Sequence, residues 1–319
     1  MEQNRMSTLE TVKSIIKKGI VLEHEPMDRH TTFRCGGPAD LFILPADEQE
    51  AADVIGFHRR EGLPFHIIGN GSNLLVSDEG LRSSVICLGR GEGSSLQELS
   101  ILRQNEEEVI LQAGSACLLS QIGKQAEKWC AGGFEALSGI PGCLGGGCMM
   151  NAGAYGSELK DVLLSVRVLD PEGQILDVPA ESLSFGYRHT GLMDLGLIVL
   201  GAVIRLFPRD EAEVRSGNEE YARRRREKQP LEFPSAGSAF KRPEGHFAGR
   251  LIEDAGLKGF RIGGAMVSEK HAGFIISDGH ASAMDVYRLI RYVQNRVQEE
   301  TGILLEPEIR LMGEFPEEV

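Results

Sequence analysis

Ser138-Gly-Ile-Pro-Gly-Cys-Leu-Gly-Gly-Gly-Cys-Met-Met-Asn-Ala-Gly-Ala-Tyr-Gly156 carries seven glycines in nineteen residues, with Ile140, Leu144, Met149 and Met150 between them. A flexible linker would carry serine and charge instead. Apolar positions interleaved with glycines describe a buried loop wound round a ligand; a glycine-rich packing turn is the plainer alternative. A second loop of this kind is Gly69-Asn-Gly-Ser-Asn-Leu-Leu75. Its glycines admit close approach of the backbone, and successive N–H groups with Ser72 and Asn73 suit an anion. It is not G-x-G-x-x-G, because position 74 is leucine and no helical pattern follows, so a Rossmann unit is disfavoured. Two such loops suit the two ends of a pyrophosphate.

Outward from these loops, helices and strands are interspersed. Ser7-Thr-Leu-Glu10 reads as a capping box opening a short helix that stops by Gly19. A second helix starts at Asp47 and ends near Gly62, and Leu118–Cys130 forms a third, stopped by Gly132-Gly133. Strands are expected at 64–68, 74–76, 84–88, 109–113 and 198–206. Val166–Leu169 and Ile175–Val178 flank Asp170-Pro-Glu-Gly173, a hairpin signal. Ser282 opens a long helix with Val286, Leu289, Ile290, Val293 and Val297 on one face, Gly302 stops it, and 303–311 reads as a closing strand. Frequent hairpins argue for an α+β fold with mixed or antiparallel sheets. The polar stretch 208–218 is the expected domain boundary.

The chain has 319 residues, enough for two or three domains. Its net charge of −13 repels polyanions, which excludes non-specific binding to nucleic acid or anionic membranes. The N-terminal residues show no apolar core of signal-peptide length and no run reaches membrane-spanning length, so a cytoplasmic protein is expected. The six cysteines show no C-x-x-C pair and no histidine at metal spacing, so no metal site is expected and each reads as a small buried apolar residue.

Three further stretches carry chemistry. In Phe185-Gly-Tyr-Arg-His-Thr190, Arg188 suits a carboxylate or phosphate and Tyr187 can donate a hydrogen bond. In Gln229-Pro-Leu-Glu-Phe-Pro-Ser-Ala-Gly-Ser-Ala-Phe-Lys-Arg-Pro243, prolines flank a Ser-Ala-Gly-Ser turn. Arg223–Arg226, Lys228, Lys241 and Arg242 place seven basic residues within twenty positions of an acidic chain, a candidate diphosphate site. A solvated helix face is the alternative for Arg223–Arg226. In Leu304-Leu-Glu-Pro-Glu-Ile-Arg310, Glu306 and Glu308 alternate onto one face of a strand.

Together these motifs resemble the UDP-N-acetylenolpyruvoylglucosamine reductases (the MurB family). The resemblance begins at Thr31-Thr-Phe-Arg-Cys-Gly-Gly-Pro-Ala-Asp40. It continues in family order through both glycine loops, the Phe185–Thr190 and Pro234–Pro243 motifs, Leu251-Ile-Glu-Asp-Ala-Gly-Leu-Lys-Gly259, Gly263-Gly-Ala-Met-Val-Ser268 and Leu304–Arg310. It implies a two-part FAD-binding module of the PCMH/vanillyl-alcohol-oxidase type plus a small α/β substrate-binding domain. The implied divisions are 1–77, 78–207 and 208–305, with 306–319 returning to the second. The uninterrupted run from Leu192 to Leu206 resembles the shorter subtype, which lacks an inserted tyrosine loop.

The resemblance also implies the chemistry: NADPH and FAD reduce UDP-N-acetylglucosamine enolpyruvate to UDP-N-acetylmuramate, a peptidoglycan precursor. Flavin N5 gives hydride, Ser238 gives the proton, and Arg188 and Glu308 stabilise the enolate. The flavin pyrophosphate cradle maps to Gly69, Asn70, Gly71, Ser72, Asn73 and Leu74, and to Ser138, Gly139, Ile140, Pro141, Gly142, Gly145, Gly146, Ala152 and Gly153. Tyr155, Tyr187, Lys241 and Arg242 map to substrate contacts. Cys143-Leu144 stands where Thr-Val is usual, and Cys148-Met-Met replaces a more regular apolar run. The protein is expected to act as a monomer on a small UDP-sugar. Two alternatives remain: a sugar-alcohol oxidase of the same fold, and a nucleotide-binding module without activity. The first often tethers FAD through histidine, which 69–75 lacks, and the second leaves Arg188, Ser238 and Glu308 together unexplained.

Overall fold

A computed structural model describes residues 7–90 and 93–316. Residues 1–6 of the segment read for a leader, and 317–319 of the returning segment, lie outside that range. The chain forms two compact units. The first gathers the described part of Met1–Glu23 with Leu41–Asn70 and Ser83–Ala222. The second gathers His24–Asp40, Gly71–Arg82 and the described part of Arg223–Val319.

In the first unit, an antiparallel sheet runs in the order Ile175–Pro179, Leu163–Leu169, Ile198–Pro208, Val109–Gly114, Leu99–Gln104. The expected hairpin turns at Asp170, whose carbonyl accepts from Gly173 at 3.2 Å and whose carboxylate accepts from the Gln174 N–H at 2.7 Å. Helix Leu119–Lys128 buries Leu119, Ile122 and Ala126 in the same core as Val109, Leu111 and Ile204. A parallel pair, Phe65–Ile68 with Ser84–Cys87, packs with helix Glu48–Glu61 round a second core that includes Ile55 and Ile86.

The N-terminus of that helix is built round one carboxylate. Asp47 accepts from the Glu50 N–H, and Glu50 itself accepts four backbone N–H groups. Lys17 and Lys18 donate to its Oε1 at 2.7 and 2.6 Å; Gly19 and Ala46 donate to its Oε2 at 3.0 and 2.9 Å. The first helix, Thr8–Ile15, has the expected capping box and ends before Gly19, because the chain there turns to meet Glu50.

In the second unit an antiparallel sheet has the order Ser235–Ser238, Phe274–Ser277, Ala265–Val267, Arg261–Ile262. Helix Ala283–Thr301 covers it with Val286, Leu289, Ile290, Val293 and Val297, the face its periodicity predicts. Each such side chain contributes about 1.5–3 kcal/mol by burial. Gly302 ends this helix at φ +73°. Asp78 completes its start by accepting from the Ala283 and Met284 N–H groups at 2.8 and 2.9 Å.

Three expectations need correction. The polar 208–218 stretch is not where the unit changes: Glu211–Lys228 is one helix of 18 residues, and the change of unit comes inside it at Ala222. Ion pairs Arg209–Glu213, Arg215–Glu211 and Arg223–Glu227 run along it at helical spacing. The closing strand is short, Arg310–Met312, since Pro307 interrupts any longer ladder, and it pairs in parallel with Leu74–Val76 rather than with a strand between 78 and 207. Cys130 is exposed, at φ +53° just beyond a helix end, whereas the other five cysteines are buried; all six are free. Among the described residues no helix is long and apolar enough to cross a membrane.

Candidate active site

The two glycine loops meet where the first unit contains them. Gly69 and Asn70 belong to it, and a Cβ added at Gly69 would stand 2.6 Å from the Cys143 sulfur. The N–H groups of Gly146, Asn70, Cys143 and Gly145 bear on that sulfur; burial outweighs them and pushes the thiol up, so Cys143 is a neutral thiol under the loop. Beside it lies a pocket of about 290 Å³ lined by Asn70, Leu118, Ser120 and residues 138–142. Its wall is backbone, small hydroxyls and apolar groups, with no acidic side chain. That chemistry fits a cofactor pyrophosphate, which needs N–H donors and no opposing carboxylate.

Some expected cradle residues are spent on the fold. The Ser138 hydroxyl sits 2.8 Å from the Glu135 carbonyl and 3.1 Å from Asn218 Oδ1. The N–H groups of Ile140, Gly145 and Ala152 donate to Leu137, Ser115 and Gly147 carbonyls. Gly153 pairs with Glu158 in a short hairpin. Gly139, Gly142 and Asn70 line the pocket, with the Asn70 N–H on the Cys143 sulfur and the Gly139 N–H on the Leu137 carbonyl.

In the same unit, two hairpins end in tight loops. Gly153–Ala154 and Ser157–Glu158 leave Tyr155 and Gly156 as the connection, at φ +54° and +88°. The Tyr155 ring lies 5.0 Å from that of Tyr221. Phe185–Gly186 and His189–Thr190 leave Tyr187 and Arg188, with the Arg188 guanidinium 5.0 Å from the Tyr187 ring centre.

The second unit brings Ser238 and Glu308 onto neighbouring segments. Glu308 donates its N–H to the Ala239 carbonyl at 2.9 Å, Phe240 bridges Pro307, and the Lys241 N–H reaches the Glu306 carbonyl at 2.8 Å. This antiparallel run holds the residue after Ser238 against Glu308. Gly237 at φ +75° bulges the strand and leaves Ser238 exposed. From the rest of the first loop, Gly71 is tight: a Cβ there would stand 1.9 Å from the His30 carbonyl oxygen. Leu74 enters the parallel pair, and Asn73 clasps the segment 308–310. Its Nδ2 donates to the Glu308 carbonyl at 3.0 Å, and its own carbonyl accepts the Arg310 N–H at 3.0 Å. Ser72, between Gly71 and Asn73, is half-buried.

Lys241 pairs with Glu306, and the Arg242 guanidinium stacks 4.0 Å over the Phe247 ring. Arg225 is buried, so Arg223–Arg226 is not a uniformly solvated face. Sequence reading missed Asn151, Thr190 and Tyr221. The only available signal was an asparagine inside a glycine-rich run. Among the described residues no group of three or more His, Cys, Asp or Glu side chains is placed to hold a metal.

Residues 229–312 match the C-terminal domain family of UDP-N-acetylenolpyruvoylglucosamine reductase, and residues 39–179 match an FAD binding domain family. A UDP-N-acetylenolpyruvoylglucosamine reductase of Caldanaerobacter subterraneus subsp. tengcongensis is 48% identical over 306 residues, covering 96% of this chain and 98% of that protein. One from Clostridioides difficile is 44% identical, covering 94% and 96%. The crystal structure of UDP-N-acetylenolpyruvylglucosamine reductase from Thermus caldophilus aligns with a TM-score of 0.74 at 34% identity, over 93% of this chain and 99% of that one.

Proposed function

Because the chain belongs to the UDP-N-acetylenolpyruvoylglucosamine reductase family, we propose that it reduces UDP-N-acetylglucosamine enolpyruvate to UDP-N-acetylmuramate with NADPH, a step in making peptidoglycan precursors. The observation that carries this reading is the match of both the FAD-binding segment and the C-terminal domain, in order, within one chain. FAD, when bound, supplies the two-electron carrier that amino-acid side chains lack. The residues fit to hold its pyrophosphate are those lining the pocket: the Gly142 backbone, the Ser120 hydroxyl and the Asn70 side chain.

Reduction turns the terminal CH2 of the enolpyruvyl ether into CH3 and places negative charge on the carbon beside the carboxylate. Arg188 meets that charge: a guanidinium is a cation whose planar fork matches a carboxylate. Ser238, exposed at the bulge made by Gly237, delivers the proton to the α-carbon. No histidine hydrogen-bonds Ser238, which speaks for a proton donor rather than a nucleophile among the described contacts. Glu308, set beside the Ser238 strand, orients the carboxyl end of the substrate. The diphosphate is met by Tyr155, with Tyr187, Lys241 and Arg242 as further contacts.

Replacing Ser238 by alanine tests the assignment. In stopped-flow absorbance, flavin bleaching by NADPH should stay close to the parent rate. Return of colour on adding the enolpyruvyl sugar anaerobically should slow by about 10²-fold or more. Equal slowing of both phases would make Ser238 a structural residue, and no slowing would move the proton donor elsewhere.

A further inference from the structure

Arg188 occupies a strained position. The loop between Gly186 and His189 has two residues, and φ at Arg188 is +56°, a left-handed conformation that such turns normally give to glycine or asparagine. Strain of this kind persists only where the surroundings over-determine it. Here one arm of the hairpin is tied to the last residue of the glycine-rich helix Leu144–Met149 and the other to Asn151 just beyond it. The Thr190 hydroxyl donates to the Met149 carbonyl at 3.0 Å, and Asn151 Nδ2 donates to the Gly186 carbonyl at 3.2 Å.

Asn151 does more than this. It is completely buried and itself left-handed, at φ +42°. Its Nδ2 also donates to Glu158 Oε2 at 3.0 Å, and its Oδ1 accepts the Lys160 N–H at 3.1 Å. A reversed amide would set its NH2 against the Lys160 N–H, so the orientation is fixed by its partners. One side chain therefore anchors two hairpins, the one with Tyr155 at its tip and the one with Arg188 at its tip. Lys160 and Asn151 hold the Glu158 carboxyl below its ordinary range, and the Arg188 charge adds to this, so the anchor on that side is an anion.

We propose that Asn151 is the positioning residue of the substrate site, its amide holding the Arg188 loop and the Tyr155 loop in one register so that Arg188 meets the substrate carboxylate. This rests on the assignment of Arg188 made above. Asn151 is not itself catalytic, since its polar groups face the protein. The amide supplies what no neighbouring residue duplicates: two donors and one acceptor in a left-handed backbone position.

Asn151→Gly keeps the backbone conformation and deletes the amide; Asn151→Asp keeps the shape but sets a second carboxylate against Glu158. In the flavin-loaded protein, both variants should leave bleaching by NADPH within about two-fold. Both should slow reoxidation by the enolpyruvyl sugar by about 10²-fold, the usual cost of misplacing a group by about 1 Å. Adding Asn151→Gly to Arg188→Ala should cost far less than the product of the two single losses, because the amide acts chiefly through Arg188. Losses that multiply in the double variant, or equal slowing of both phases, would overturn the proposal. Arg188→Ala read alone distinguishes the two failures: if it leaves reoxidation unchanged, the Arg188 assignment falls and this inference with it. If it slows reoxidation while Asn151→Gly does not, only the inference falls. Should Asn151 variants not fold, Thr190→Val removes the other tether and must show the same selective slowing of reoxidation.

Discussion

Glu50→Gln is a test of how the first unit holds its N-terminal segment. The carboxylate accepts four backbone N–H groups, two on each oxygen, at 2.6–3.0 Å. Glutamine is the same size but turns one oxygen into an NH2. Two of the four N–H groups then face a donor, and the other two bond to a neutral oxygen. A hydrogen bond to a charged group is worth about 1.5–3 kcal/mol, so losing two predicts destabilisation of about 3–6 kcal/mol. The pH dependence makes the test specific. Burial raises the Glu50 carboxyl, but the N–H groups of Ala46, Lys18, Lys17 and Gly19 outweigh it and hold it below its ordinary value. The unfolded chain therefore binds this proton more readily than the folded one, so the contribution is full above the unfolded pKa of about 4.3 and is lost as pH falls below it. Urea denaturation at saturating FAD should give a difference between parent and variant that is largest near neutrality and shrinks in acid. A difference under about 1 kcal/mol at pH 7, or one that is constant with pH, would refute the reasoning.

Arg188→Lys keeps the charge and loses the planar fork; turnover should fall by about 10²–10³-fold, and a near-parental rate would make Arg188 structural. His58 is fully buried, with its ring nitrogens 2.8 Å from the Val54 carbonyl and 2.8 Å from the Ser84 hydroxyl. Burial holds its pKa, and those of His66 and His271, below the ordinary value, so stability should be full above about pH 6.5 and decline below it. His58→Gln should lower stability at pH 7 and flatten that decline in urea titrations; an unchanged slope would show that His58 does not contribute to it.

Much of the fold was legible because local chemistry and tertiary packing agree. Ser7 and Ser282 cap helices as their spacing with Glu10 and Asp285 requires, and the apolar stripe from Val286 to Val297 faces the second unit's core. The boundary was misplaced where polarity was taken to mark a change of domain. Residues 211–228 have too few apolar side chains to show a helical stripe, yet ion pairs and an acidic start with a basic end stabilise a helix there. Ser238 and Glu308 were legible as motifs, but the ladder between 239–241 and 306–308 joins residues far apart in sequence and cannot be read from either stretch. Asn73 looked like part of an anion nest; its side chain instead holds the Glu308 carbonyl. Asn151 was hidden for the same reason, since its three partners lie seven to thirty-five residues away.

The central claim is tested most directly by NADPH oxidation in the purified, FAD-loaded protein with three additions in turn: UDP-N-acetylglucosamine enolpyruvate, UDP-N-acetylglucosamine, and no sugar nucleotide. The account predicts sustained oxidation with the first alone, matched mole for mole by UDP-N-acetylmuramate. Equal rates in all three, or oxidation without that product, would contradict it.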